Sequence, residues 1–192
     1  MRLFAPIPFL LALTCAAPAM ATGAADSLIT QNDRQRLADY DTVRAAALNE
    51  AHGAGAPEAA QTLDQVTLAA PKSWQGMDLT GEWRCRTIKA GGMARLVVYS
   101  WFKCRVTDDG SGWMLEKLSG SQRTRGRLFD DGETRLIYLG AFAVNGDPFP
   151  AYGSGPDSDQ AGYAYRMGDN WWRIEFPSPR YESMLDILEL SR

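Results

Sequence analysis

The sequence predicts a mainly β protein: an eight-stranded antiparallel up-and-down barrel, or a curved half-barrel, with one or two N-terminal helices packed on it. Three observations predict it. From Asp78 onward, aromatic and β-branched runs alternate with Gly, Asn and Asp turns, the texture of an antiparallel sheet. Eight such runs follow one another, and most of their connections are short enough for hairpins. Helical spacing, by contrast, is confined to the region before Pro71, which is too small to bury a core of its own.

The chain opens MRLFAPIPFLLALTCAAPAMATG. One cation, Arg2, precedes the apolar run Leu3 to Ala12, and Ala19-Met20-Ala21 supplies a small-x-small cleavage pattern. Residues 1–21 are therefore predicted to be a secretory signal peptide cleaved near Ala21. The run is too short for a persuasive membrane span. A lipoprotein reading would lipidate Cys15, but Thr14 is bulky where a small residue is needed. Cleavage would leave the protein in the periplasm or secreted, where disulfides persist.

The full chain of 192 residues carries a formal net charge of −3, and loss of Arg2 makes the remainder one unit more negative. That balance exerts no global pull on nucleic acid or anionic lipid, so no nucleic-acid partner is expected and membrane contact is peripheral at most. The rest is expected to divide into a helical satellite and linker, 22–77, and a barrel domain, 78–192.

Within the satellite, Thr30-Gln31-Asn32-Asp33 reads as a capping box opening a helix over 31–51, with Leu37, Tyr40, Arg44, Ala47, Leu48 and Ala51 at helical spacing. His52-Gly53-Ala54-Gly55 ends it, and Pro57 opens a short second helix over 57–68. Strands are predicted over 79–89, 95–106, 112–119, 122–129, 134–142, 161–167, 171–176 and 184–190. An up-and-down sheet of this length removes its exposed edges by closing, and eight strands enclose either packed side chains or one small ligand.

Cys85 and Cys104 occur in matching contexts, Trp83-Arg84-Cys85-Arg86 and Phe102-Lys103-Cys104-Arg105. Strand alternation groups each thiol with an aromatic residue and sends the cations to the other face. Zinc would need two more ligands, and the single histidine, His52, lies in the satellite, so no metal site is expected. Without a Cys-x-x-Cys a redox centre is disfavoured, leaving a structural disulfide. A tight turn at Gly91-Gly92 would place Cys104 about 15–20 Å beyond the residue opposite Cys85, at ~3.3 Å per residue. A disulfide spans only about 7 Å between Cα atoms, so the bond requires a longer or bulged first connection.

Arg123, Arg125 and Arg127 alternate and project from one face, making them the candidate anion-binding residues; Arg84, Arg86, Lys103 and Arg105 could extend the stripe. The alternative is an outer face whose cations pair with Glu116, Glu175, Asp186 or Glu189. Adjacent Trp171 and Trp172 face opposite sides, so one lies outside, under a covering helix or on a candidate partner surface. Ser183 lacks a histidine base and a nucleophile elbow, and no pair of carboxylates among Glu116, Glu175, Glu182, Asp186 and Glu189 can be chosen for glycosidic chemistry. The long loop 145–160 is a solvated loop, a lid, or a weak calcium loop through Asp147, Asp157 and Asp159.

Two resemblances add to this. Gly81-Glu82-Trp83 at the start of the first strand resembles the Gly-x-Trp of lipocalins and other calycins. The resemblance implies that Gly81 turns the chain and Trp83 plugs the closed end of the barrel, with Arg180 or Arg192 over its ring. The stretches GEWRCRTIKAGG, YSWFKCRV, LSGSQRTRGRLF, IYLGAFAVNGDP and PSPRYESMLDILEL resemble a family of secreted bacterial proteins known as a domain of unknown function (DUF4893). That resemblance implies one exported domain and brings no substrate, cofactor or catalytic residue. The expected function is binding of a small apolar or anionic ligand without a cofactor. The alternative is a non-catalytic envelope structural or interaction protein with a filled barrel and an envelope protein as partner, and a carboxylate-dependent hydrolase ranks third.

Overall fold

The structure is a computed structural model that describes residues 22–54, 56–144 and 146–192; the leader expected at 1–21, with Cys15, lies outside the described residues. Four helices come first: α1 Thr22–Leu28, α2 Gln31–Ala38, α3 Tyr40–His52 and α4 Pro57–Leu68. Nine strands follow: β1 Gly81–Ala90, β2 Leu96–Val98, β3 Phe102–Asp108, β4 Trp113–Lys117, β5 Gln122–Asp130, β6 Leu136–Val144, β7 Asp159–Gly168, β8 Trp171–Pro177 and β9 Leu185–Ser191. Consecutive strands from β3 to β9 pair antiparallel, β1 pairs β3, and β1 also pairs β9 from Arg84–Ser191 to Ala90–Leu185. The sheet is thus a closed eight-stranded barrel, with the three-residue β2 added along β1.

Where one helix was expected over 31–51 there are two. Thr30 caps α2 by accepting from the Asp33 N–H (3.2 Å), but the chain bends at Asp39, whose carboxylate accepts from the Gln35 side chain (3.0 Å). The bend lets α2 pack against β7 while α3 packs against β1, β8 and β9, following the curve of the barrel. The helix α1 was not anticipated.

The first hairpin also departs from expectation. The strand expected at 95–106 is broken into β2 and β3. A 3₁₀ turn, Gly92–Ala94, separates β1 from β2, with Gly91 and Gly92 at φ 71° and 66°. Ala90 faces Leu96 and Ile88 faces Val98, but Cys85 then faces Phe102, so residues 99–101 oppose only residues 86 and 87. The longer turn and this one-residue bulge bring Cys104 opposite Trp83, diagonal to Cys85 on the same face. The Cα atoms of Cys85 and Cys104 lie 5.8 Å apart and the disulfide is closed.

Side chains sort into three apolar clusters. Inside the barrel lie Trp83, the two cysteines, Leu115, Leu128, Tyr138, Trp172, Ile174, Phe176, Leu188 and their neighbours. Outside, Ile88, Ala90, Leu185 and Ile187 pack under Ala47, Ala51, Leu63 and Val66 of α3 and α4. A smaller cluster joins Ala25 and Leu37 to Leu139 and Ala161. Tyr138 fits inside because Gly126 and Gly140 face each other in the ladder. A Cβ on Gly126 would stand 2.4 Å from the Tyr138 ring, a clash no side chain relieves cheaply.

A buried charge cluster ties helices to barrel. Glu175, fully buried on the outer face of β8, accepts from Tyr40 (2.7 Å) and from Arg44 Nε (2.7 Å), and Arg173 Nε lies 2.7 Å from its other oxygen. Arg173 also donates to the carbonyls of Val66 (2.7 Å) and Ala69 (3.1 Å) at the end of α4. A carboxylate so deep is tolerated because every side of it is partnered.

Breaking the staple supplies a direct check on the hairpin. Urea unfolding with and without reductant, or of the Cys85→Ala/Cys104→Ala double variant, is expected to show a loss of about 3 kcal/mol in unfolding free energy.

Candidate functional site

The strand directions give the barrel two unlike ends. At one end stand the start of β1 and the end of β9, and there the interior is apolar. Trp83 is buried, its indole N–H donates to the Leu79 carbonyl (2.9 Å), and the Arg192 guanidinium covers its ring at 4.1 Å. Arg192 also donates to the Thr80 carbonyl (2.8 Å), while Arg180, the other candidate, pairs with Asp157 (2.5 Å) near the opposite end. Trp172, Trp113 and Trp74 continue this plug in edge-to-face contacts, with ring centres 6.1 and 6.3 Å apart. Gly81, at φ 121°, opens the strand beneath Arg192.

At the other end the interior turns polar. On β1 the parity that buries Trp83 and Cys85 carries on to Thr87 and Lys89; on β4 the parity of Leu115 carries on to Lys117. Gln122 and Thr124 of β5, Gln160 of β7 and Asp186 of β9 complete a cup. Burial pushes the Tyr138 phenol up, and its hydroxyl and Gln160 both hydrogen-bond to Thr124 Oγ1. Two small voids open here. One of about 40 Å³ is lined by Thr87, Lys117, Thr124, Gln160 and Asp186. Another of about 70 Å³ shares Thr87, Lys117 and Gln122 and reaches Tyr99 and Phe102. A water needs ~10–15 Å³ of such space, so each void holds several waters or one small ion.

The two lysines are treated differently. Lys89 Nζ lies 3.1 Å from Glu182 and 3.8 Å from Asp186. Burial raises the Asp186 carboxyl, which also accepts from Ser183 Oγ (2.5 Å). Lys117, though only 5 % exposed, has no carboxylate within ion-pair distance among the described residues. Its ammonium meets the Phe102 ring at 4.5 Å and the Thr87 hydroxyl at 3.4 Å. Burial lowers it to about 8, against the pull of Asp186 and with the push of Lys89.

The residues singled out from the sequence lie elsewhere. Arg123, Arg125 and Arg127 point out of the barrel and have partners: Arg127 pairs with Asp109, Arg125 lies 3.8 Å from Glu116, and Arg123 donates to the Asp147 carbonyl (2.6 Å) and covers Phe149. Arg123 also borders the smaller void. Arg84 and Arg86 both lie over the Trp101 ring (5.0 and 4.6 Å), and Arg86 pairs with Glu189 (2.5 Å). Of the adjacent pair, Trp172 fills the barrel, and Trp171 is partly buried under the helical layer, donating to Glu189 (2.8 Å).

For hydrolysis, Ser183 has no base, since His52 pairs with Asp64 (2.6 Å) in the helices. Glu116, Glu175 and Glu189 lie outside with arginine partners, and Glu182 and Asp186 share Lys89. In loop 145–160 the aspartates separate. Asp159 accepts from the Gly153 and Gly155 amides, Asp157 takes Arg180, and no acidic group among the described residues gathers for a metal. The loop is also pinned: Tyr152 donates to Asp33 (2.8 Å), and Arg36 donates to the Asp159 carbonyl (2.7 Å).

Lys117 makes a pH dependence that can be measured. Its value of about 8 in the fold lies below the ordinary 10.5. Between these values the unfolded chain binds more protons, so this group adds stability as pH rises from about 8 to 10.5. Wild type is therefore expected to gain on Lys117→Met across that window, read as the difference between their urea unfolding free energies; a constant difference contradicts it.

Neither the curated proteins nor the solved structures contain a match to this chain. A family model described as Domain of unknown function (DUF4893) matches residues 26–190, a span that runs from within α1 through every other helix and every strand apart from the last residue of β9. The chain belongs to that family.

Proposed function

We propose that the protein is an exported, periplasmic or secreted binding module that holds a small oxyanion, a phosphate or carboxylate group, in the polar mouth of its barrel. One observation carries this reading: Lys117 faces the voids, is almost wholly withdrawn from solvent, and has no carboxylate partner among the described residues. An ammonium in that position is costly unless an anion meets it. Thr87, Gln122, Thr124 and Gln160 add polar groups at the same place. Void size favours a small anion over an apolar ligand, and the apolar half of the interior is filled by aromatic side chains. Export is supported by the leader-like start of the sequence and by the Cys85–Cys104 disulfide, which suits an oxidising compartment. Among the described residues no helix is long and apolar enough to cross a membrane.

Thermal unfolding of dialysed protein with added inorganic phosphate or acetate tests the reading. At a hundredfold excess over Kd, the midpoint should rise by roughly 5–10 °C. Lys117→Met should abolish the rise, and Arg127→Gln, on the outer face, should retain it. An unchanged midpoint, or an equal rise in Lys117→Met, would count against the proposal.

A second reading, an envelope interaction protein, is favoured by a groove of about 430 Å³ on the outer face of β5 and β6. Met114, Phe129, Leu139, Phe149 and Tyr152 line it, and Arg125 and Arg127 border it. It suits an apolar segment. A photo-crosslinking residue at Leu28, beside the groove, should then give one discrete adduct in cells, while the same residue at Thr107 gives none.

A further inference from the structure

The environment of Lys117 does more than attract an anion. A lysine becomes a nucleophile when it is desolvated, set near another cation, and left without a carboxylate that holds it as ammonium. Lys117 meets all three conditions: it is buried, Lys89 is the neighbouring cation, and Glu182 and Asp186 are engaged by Lys89. The face of Phe102 and the single hydroxyl of Thr87 are its nearest partners, and both voids touch it, so a small molecule can reach Nζ. The charged groups around it are Lys89, Asp186 and, across the smaller void, Arg123.

We propose that Lys117 captures a small aldehyde bearing a carboxylate or phosphate as a reversible imine, an assignment that rests on reading the barrel mouth as an anion site. The Nζ lone pair attacks the carbonyl carbon, and the C=O π pair moves to oxygen. One proton passes from nitrogen to that oxygen, giving a carbinolamine. The nitrogen lone pair then forms C=N as the C–O bond breaks, and the oxygen leaves as water after taking a second proton. The iminium gives its proton back, so amine and aldehyde become imine and one water with no oxidant or reductant. Asp186 lines the same void, and burial raises its carboxyl, which suits it to pass these protons. The anionic tail meets the polar side chains of Thr87, Gln122 and Thr124 that line the voids. Lowering of the Lys117 ammonium to about 8 leaves neutral amine available near neutral pH.

Glyoxylate is the probe, with cyanoborohydride to reduce and fix the imine and peptide mapping to locate it. In wild-type protein at pH 7, Lys117 should be labelled about tenfold faster, or more, than the exposed Lys103, because burial lowers the Lys117 ammonium to about 8. The Lys117 rate should level off above about pH 8. Comparable rates at Lys103 and Lys117 overturn the proposal, and this comparison needs no variant to fold. Lys117→Arg, which keeps the charge, should lose the fast adduct and retain stabilisation by inorganic phosphate. Fast labelling that persists in Lys117→Arg also overturns it. Phosphate stabilisation of wild type without fast labelling removes the imine and leaves the anion reading; absence of both removes both.

Discussion

Seven backbone pairings between β1 and β9, from Arg84–Ser191 to Ala90–Leu185, close the sheet on itself. A closed sheet commits every second residue of each strand to an interior with little room for water. Over the half of the barrel near Gly81 this suits the chain, because the committed residues are Trp83, Cys85, Cys104, Leu115, Leu128 and Trp172. Towards the other half the same parity carries Lys89 and Lys117 inward. Closure leaves them no outward rotation, so their charge must be answered where they stand. Glu182 and Asp186 answer Lys89, whereas for Lys117 the answer is an aromatic face, a hydroxyl and a small void.

Everything else in the fold helps to hold that closed form. The bulged first hairpin lets the Cys85–Cys104 bond bridge neighbouring strands near the plug. Across the outer face, Glu175 gathers Tyr40, Arg44 and Arg173, and Arg173 reaches the end of α4, so three helix and strand segments share one buried carboxylate. Removing the carboxylate would strand two arginines, which is why this face tolerates charge only as a complete set. α3 and α4 therefore cover the strands on either side of the β1–β9 seam, while α1 and α2 pack on β5 and β7.

The result is a one-ended container. Trp83, under Arg192, blocks one end, and the polar cup occupies the other. The long loop between β6 and β7 borders the cup but is fastened to α2 through Tyr152, Asp159 and Arg36, so it frames the mouth as a fixed wall. Specificity in such a site falls to the size of the voids and to the few polar groups that line them.

What the sequence by itself determined was local: strand alternation, the turns that punctuate it, the cap at Thr30, and the sorting of both thiols away from their flanking cations. These depend on neighbouring residues, so they can be read one segment at a time. The inward positions of Lys89 and Lys117 are legible in the same way, since they continue the parities of Cys85 and Leu115. Only the tertiary structure decided the rest. The register of the first hairpin hinged on a 3₁₀ turn and a bulge, and the break at Asp39 on the curvature the helices must follow. Arg123, Arg125 and Arg127 met Asp147, Glu116 and Asp109, partners from other segments that no spacing announces. Closure is likewise a pairing between strands about a hundred residues apart, and the contacts it makes, including which charges are left unanswered inside, exist only once the chain has returned to its own first strand.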